Sequence, residues 1–197
     1  MSTAAAPVRA GAVLADLLPA SRTKYAVDTA LVVGGAALTG IAAQIAVPVP
    51  GSPVPVTGQT FAALLVGTAL GARRGFLSLA LYALVGMAGM PWFAEGAHGY
   101  AMPSFGYILG MLLAATVVGD LARRGADRTV LRTAGSMVLG SAIIYAVGVP
   151  YLSLATGMTL GQAVAAGLTP FLVGDALKAA LAMGALPTAW KLIGRRG

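Results

Sequence analysis

Long apolar runs alternate along this chain with two kinds of connection, one short and basic, the other long and rich in Pro and Gly. Six runs stand out, at residues 25–47, 56–70, 75–90, 104–121, 133–149 and 170–190. A helix that crosses a bilayer needs about 20 mainly apolar residues, and the first run has that length. The second and third are shorter, so two spanning helices and a re-entrant pair are both open readings for them. The sequence GARRG (71–75) separates them as a tight polar break. No linker or internal repeat divides the rest. The pattern predicts a tail over 1–22 and a single six-helix membrane domain over 23–197.

The last run, PFLVGDALKAALAMGALPTAWK (170–191), carries Asp175 and Lys178 among Ala, Leu, Met, Gly, Val and Phe. Spaced i and i+3, the two side chains share one helix face and reach each other. A charge near the centre of a membrane helix costs roughly 2.5–3.5 kcal/mol on insertion scales. Two charges on one face therefore point to a protein-lined, partly wet cavity. Two readings remain: an ion pair that locks this helix to its neighbours, and a polar ligand site. The second is the expectation taken forward.

The basic residues test the helix count. Arg9, Arg22 and Lys24 precede the first run, and Arg73 and Arg74 lie between the second and third. Arg123, Arg124, Arg128 and Arg132 lie between the fourth and fifth, and Lys191, Arg195 and Arg196 follow the sixth. Six helices alternating from a cytoplasmic N-terminus put all of these on one side, so both termini are expected in the cytoplasm. Lys178 alone is left toward the outer end. The outward connections, 47–59, 88–104 and 150–169, are nearly free of charge and rich in Pro, Gly, hydroxyls and aromatics. Loops of this length often form lids or binding surfaces. Converging over Asp175 and Lys178, they describe a pocket open to the outside. Within the third, TLGQAVAAGL is expected to form a short amphipathic helix along the outer surface.

Composition agrees with a membrane protein. The 197 residues are 58% hydrophobic and only 10% charged, with a mean hydropathy of +0.85. A soluble domain carries about 25% charged residues. The net charge of +7 falls between apolar runs and forms no continuous basic face, so nucleic acid is not the expected partner. There is no cysteine. No GxxxxGK[ST] phosphate loop, HExxH or GxSxG motif occurs, and His98 is the sole histidine. No nucleophile or metal set supports an enzyme, and no metal or cofactor is expected. Glu95 and His98 read as solvated loop residues, and Asp28 and Asp120 as partners of nearby Arg or Lys. Small residues at i,i+4 in the first helix (Gly35 and Thr39, Ala36 and Gly40, Ala42 and Ala46) permit close packing, either internal or against a separate membrane partner. Trp92, Phe93, Tyr100, Phe105, Tyr107 and Tyr151 cluster in or beside the outer loops. They fit an interfacial belt, and some fit the wall of a pocket for an apolar ligand body. Gln59 adds both donor and acceptor groups at the start of the second helix.

Three stretches, PVPVTGQTFAALLVGTALGARRGFLSLALYALVGMAGMPWFA (53–94), PSFGYILGMLLAA (103–115) and VGDALKAALA (173–182), resemble the BioY family in order and spacing. The resemblance covers roughly residues 24–190. That family comprises the biotin-specific substrate-binding (S) components of energy-coupling-factor (ECF) transporters. The fold it implies is an all-α integral membrane bundle of six helices with both termini cytoplasmic and a ligand site near the outer surface. The function it implies is biotin uptake by a multi-pass protein of the bacterial plasma membrane. By motif, Asp175 and Lys178 match the polar pair of the last helix, Gln59 the VTGQT motif, and Tyr107 the tyrosine after the fourth-helix glycines. Phe93, Ser104 and Tyr151 complete the expected substrate-binding set. A carboxylate suits the ureido N–H donors of biotin and an ammonium suits its valerate carboxylate. The family pattern PTGGY reads PSFGY here, with Phe105 in place of a glycine. Biotin is then the transported ligand, and the implied partners are a transmembrane coupling subunit and ABC-type ATPases. The alternative is a self-sufficient transporter or facilitator.

Overall fold

A computed structural model describes residues 11–17 and 24–194 of the chain. Most of the expected tail over 1–22, together with Arg195 and Arg196, lies outside the described residues. Seven α-helices make up most of the rest: α1 (Lys24–Ala43), α2 (Gln59–Leu70), α3 (Ala72–Met87), α4 (Phe105–Arg123), α5 (Val130–Thr156), α6 (Leu160–Gly167) and α7 (Leu172–Gly194). By length and apolarity α1, α4, α5 and the α6–α7 stretch can cross a membrane, whereas α2 is apolar but short. Their outward faces bear the apolar side chains that a lipid-embedded surface requires. Examples are Val33, Leu38 and Ile41 on α1, and Val173, Leu177 and Leu181 on α7.

Several boundaries differ from the expected ones for identifiable reasons. The GARRG stretch opens α3, whose first turn carries both arginines. The break shrinks to Gly71, whose positive φ of 83° allows one sharp change of direction. Residues Val56 and Thr57 leave the second run and pair antiparallel with Val47 and Ala46. This two-residue ladder (β1, Ala46–Val47; β2, Val56–Thr57) satisfies backbone groups that extended loops would leave open. Helix α5 continues through Pro150 to Thr156 rather than stopping at Val149. A proline removes one backbone donor, and a membrane helix tolerates that where its neighbours re-satisfy the ladder. Gly157 then ends α5 in the left-handed conformation, φ 71°. Two residues on, Thr159 and Gln162 close a reciprocal capping box that starts α6, the helix expected within TLGQAVAAGL.

Glycine permits the tightest crossings. A β-carbon on Gly110 would lie 2.8 Å from the backbone of Ile144, so α4 and α5 meet backbone to backbone there. On Gly67 it would lie 2.6 Å from Cα of Ala115, which does the same for α2 and α4. The small-residue face of α1 is also used internally. Gly35, Ala36, Thr39, Gly40 and Ala43 are buried, against Ser78 and Val66 at Gly35 and the Trp92 ring at Gly40. That burial favours internal packing over partner docking for this face; the exposed face of α1 is the apolar one.

The basic residues gather at one end. Arg74 pairs with Asp16 and Asp28, each at 2.7 Å, and Arg124 pairs with Asp120 at 2.7 Å. Arg123 and Arg128 donate to the backbone carbonyls of Gly11 and Ala12. The segment around Val13 is thereby strapped across the ends of the helices, with Val13 fully buried. At the same end Trp190 of α7 donates through Nε1 to the buried Asp127 at 2.7 Å, and Arg128 stacks over the Trp190 ring.

Candidate functional site

The first turns of α7 bring Asp175 and Lys178 inward, against α2 and α5. Lys178 Nζ lies 3.2 Å from Asp175 Oδ1 and donates to Thr60 Oγ1 at 2.8 Å. The phenol of Tyr145 on α5 donates to Asp175 Oδ2. Both charged side chains are mostly buried, 17% exposed for Lys178 and 15% for Asp175. Helical spacing creates the pair; Thr60 and Tyr145 fix where its members point.

A cavity opens beside this pair. Its polar wall includes Gln59, Thr60, Ser104, Tyr107, Tyr145, Asp175 and Lys178. Its apolar wall includes Val54, Phe93, Met102, Ile108, Met111 and Phe171. Ligand sites are usually built this way, mainly apolar with a few convergent polar groups. Counted to its mouth, the cavity holds about 500 Å³ of empty space. Gln59 is 4% exposed, and its Nε2 is a buried donor without an acceptor among the described residues. A buried amide donor left open costs about 1–3 kcal/mol, which an acceptor on a ligand would offset.

The loop over the cavity is anchored on both sides. Gln44, just past the end of α1, donates through Nε2 to the carbonyls of Trp92 at 3.0 Å and Phe93 at 3.1 Å. Trp92 Nε1 donates to the Tyr82 carbonyl at 3.0 Å. These bonds press the Phe93 ring, fully buried, edge-on against Tyr82 at 5.1 Å between centroids. A second set of contacts holds the far wall. Tyr107 donates to the Gly167 carbonyl at 2.7 Å, linking α4 to the end of α6. Its ring stacks on Phe171 and meets Tyr145 edge-on at 6.4 Å.

Of the seven residues expected at a substrate site, Asp175, Lys178, Gln59, Tyr107, Phe93 and Ser104 line this one cavity. Tyr151 does not. Its hydroxyl donates to the Tyr100 carbonyl, and its ring packs against Phe105 at 6.2 Å on the other side of α4. Phe105, the departure from the family pattern, begins α4 and sits between Phe93 and Tyr151 behind the wall. Thr60, Tyr145 and Phe171 were not anticipated. A hydroxyl next to Gln59 and a tyrosine inside an apolar run carry little signal alone; only the helix crossings bring them to α7. Glu95 and His98, read from the sequence as solvated loop residues, are not part of the cavity lining.

A second hollow of about 1250 Å³, counted to its mouth in the same way, lies on the outer side of α5, α6 and α7, lined by Val138, Val149, Leu160, Val164, Leu168 and Leu172 among others. Tyr145 and Asp175 border both spaces and so form part of the wall between them.

The comparisons with known proteins agree on one family. A family model described as the BioY family matches residues 14–195. The chain is 40% identical over 129 residues to the probable biotin transporter BioY of Lysinibacillus sphaericus, a match covering 64% of this chain and 65% of that protein. It is 35% identical over 159 residues to the probable biotin transporter BioY of Pyrococcus horikoshii, covering 79% and 91%. To the biotin transporter BioY of Thermotoga maritima it is 35% identical over 162 residues, covering 81% and 89%. A crystal structure of the S-component for biotin from an ECF-type ABC transporter has the same fold, with a TM-score of 0.76 at 21% identity. That likeness spans 87% of this chain and 95% of the other. These relatives are transporters by name, and the apolar helices make this chain a multi-pass membrane protein.

Proposed function

The chain belongs to the BioY family, and on that premise we propose that it binds biotin in the cavity beside Asp175 and Lys178 and presents it for uptake. The observation that carries this reading is the convergence of a half-buried acid, a half-buried base and an amide donor unpartnered among the described residues in one apolar-walled cavity. Biotin has a ureido group with two N–H donors and a carbonyl acceptor, an apolar bicycle and a carboxylate. Asp175 supplies an acceptor for ureido N–H, Gln59 Nε2 a donor for a ligand oxygen, and Lys178 a positive charge. Val54, Phe93, Ile108, Met111 and Phe171 supply the apolar surface for the bicycle and chain. Tyr107 and Ser104 complete the polar edge.

Binding by this site needs no chemistry at the ligand, so the residues act by position and charge alone. Six helices, α1 to α5 and α7, cross the plasma membrane in this reading. The end bearing Arg74, Arg123, Arg124 and Arg128 faces the cytoplasm by the bias of basic residues toward that side, and the cavity end faces outward. Active transport then needs a transmembrane coupling subunit and ABC-type ATPases, because the chain has no phosphate-binding loop of its own. The test is uptake of labelled biotin into vesicles holding the chain alone or with an ECF coupling module. ATP-dependent accumulation only with the module supports the reading. Accumulation by the chain alone would transfer the function to a self-sufficient transporter.

A further inference from the structure

We infer that Tyr145 is the positioning residue of this site, holding Asp175 in the orientation that serves the ligand. The inference rests on the biotin-binding reading above. The α6–α7 stretch is the least enclosed of the candidate spans, with only 11% of its spanning window buried. Packing alone therefore fixes the direction of its side chains weakly. Three side-chain hydrogen bonds tie α7 to other elements among the described residues: Tyr145 to Asp175, Lys178 to Thr60, and Trp190 to Asp127. The first two lie at the cavity.

Asp175 has two oxygens with different partners. Oδ1 receives Lys178, and Oδ2 receives the Tyr145 phenol. With both anchored, the carboxylate plane is set, and the lone pairs left over point in fixed directions. The phenol is itself held. Its ring meets Tyr107 edge-on, and Tyr107 is pinned by the Gly167 carbonyl. A line of contacts thus runs from the end of α6 through Tyr107 and Tyr145 to Asp175. Tyr145 also forms, with Asp175, part of the wall between the cavity and the apolar hollow outside α5–α7. Without the phenol, the carboxylate is free to turn toward Lys178 alone and away from the ligand donors. Pre-organised acceptors bind more tightly because the ordering is done before the ligand arrives.

Tyr145→Phe deletes one hydroxyl and keeps the ring against Tyr107. For the full chain in detergent, biotin affinity should fall about tenfold, the size expected for a hydrogen bond to a charged group. In an Asp175→Asn background the same Tyr145→Phe change should have no further effect, because it acts through that carboxylate. A purely packing role predicts either no loss in Tyr145→Phe or a loss that persists beside Asp175→Asn, and either result overturns the inference. Where Asp175→Asn binds too weakly to titrate, biotin methylated on both ureido nitrogens decides. Equal affinity for wild type and Tyr145→Phe supports action through the ureido donors, and a remaining tenfold gap refutes it. Failure of the wild-type chain to bind biotin would instead sink the functional reading beneath it.

Discussion

The Tyr107 hydroxyl sits over Gly167 so closely that no side chain fits between them. It donates to the Gly167 carbonyl at 2.7 Å, and a β-carbon on Gly167 would overlap that oxygen and lie 2.5 Å from Leu152. This one junction connects α4, α5 and the end of α6 on the far wall of the cavity. Gly167→Ala should push the Tyr107 ring inward and weaken ligand binding about tenfold or more, while Tyr107→Phe, which keeps the ring, should cost less. Titration of both variants with labelled biotin checks the order. An unaffected Gly167→Ala would show that the wall yields freely.

Gly86 has the same relationship with Phe93. A β-carbon there would run into the Phe93 ring, which is fully buried and lines the cavity. Because overpacking typically costs about 1–3 kcal/mol, Gly86→Ala should lower the melting temperature of the purified protein and loosen the loop over residues 88–104. Limited proteolysis in that loop, with and without ligand, reads the second effect. The loop should be cut faster in the variant and be protected again by biotin.

At the basic end, Asp127 is almost fully buried, 1% exposed, and burial pushes its carboxyl above the ordinary carboxylate range even though Trp190 and Arg128 pull the other way. A carboxyl whose folded value is raised binds more protons folded than unfolded between the two values. In that window stability falls as pH rises, and the favourable contribution is complete only below the unfolded value. Asp127→Asn keeps an acceptor for Trp190 and removes the charge, so it should flatten this part of the stability–pH curve. Thermal unfolding from about pH 4 to 7 measures the slope. Equal slopes in variant and wild type would contradict the assignment.

Arg74 joins the strap at residues 11–17 to α1 through Asp16 and Asp28. Arg74→Ala should cost about 1–2 kcal/mol, more than a solvated pair, because the guanidinium is partly buried and its loss strips Asp28 of its partner and leaves Asp16 only the longer pair to Arg123 at 3.6 Å. The loss should shrink in high salt. Melting curves at low and high ionic strength test both statements.

Much of the site was legible in the sequence because charge in an apolar run demands an explanation. Asp175 and Lys178 announced themselves that way, and Gln59 and Ser104 stood at the junction of an outer loop with an apolar run. The partners were not legible. Thr60 reads as an ordinary helix hydroxyl, and Tyr145 sits in mid-run where an aromatic usually means packing. Tyr151 misled for the opposite reason. It lies beside an outer loop in sequence, but six residues along a helix from Tyr145 is about 120° away from it around the axis, at 3.6 residues per turn. Pro150 compounded the error by reading as the end of a helix that in fact continues to Thr156. The α1 small-residue face shows the same limit. Its capacity for close packing was evident, and only the fold reveals that Ser78, Val66 and Trp92 fill it.

The most direct test of the account is equilibrium binding of labelled biotin to the purified chain in detergent, with lipoate and thiamine as competitors and Lys178→Ala and Asp175→Asn as controls. The account predicts saturable binding displaced by unlabelled biotin and by neither competitor, and strongly weakened in both variants while each remains folded. Absence of saturable binding, or binding that survives loss of both charges, would contradict it.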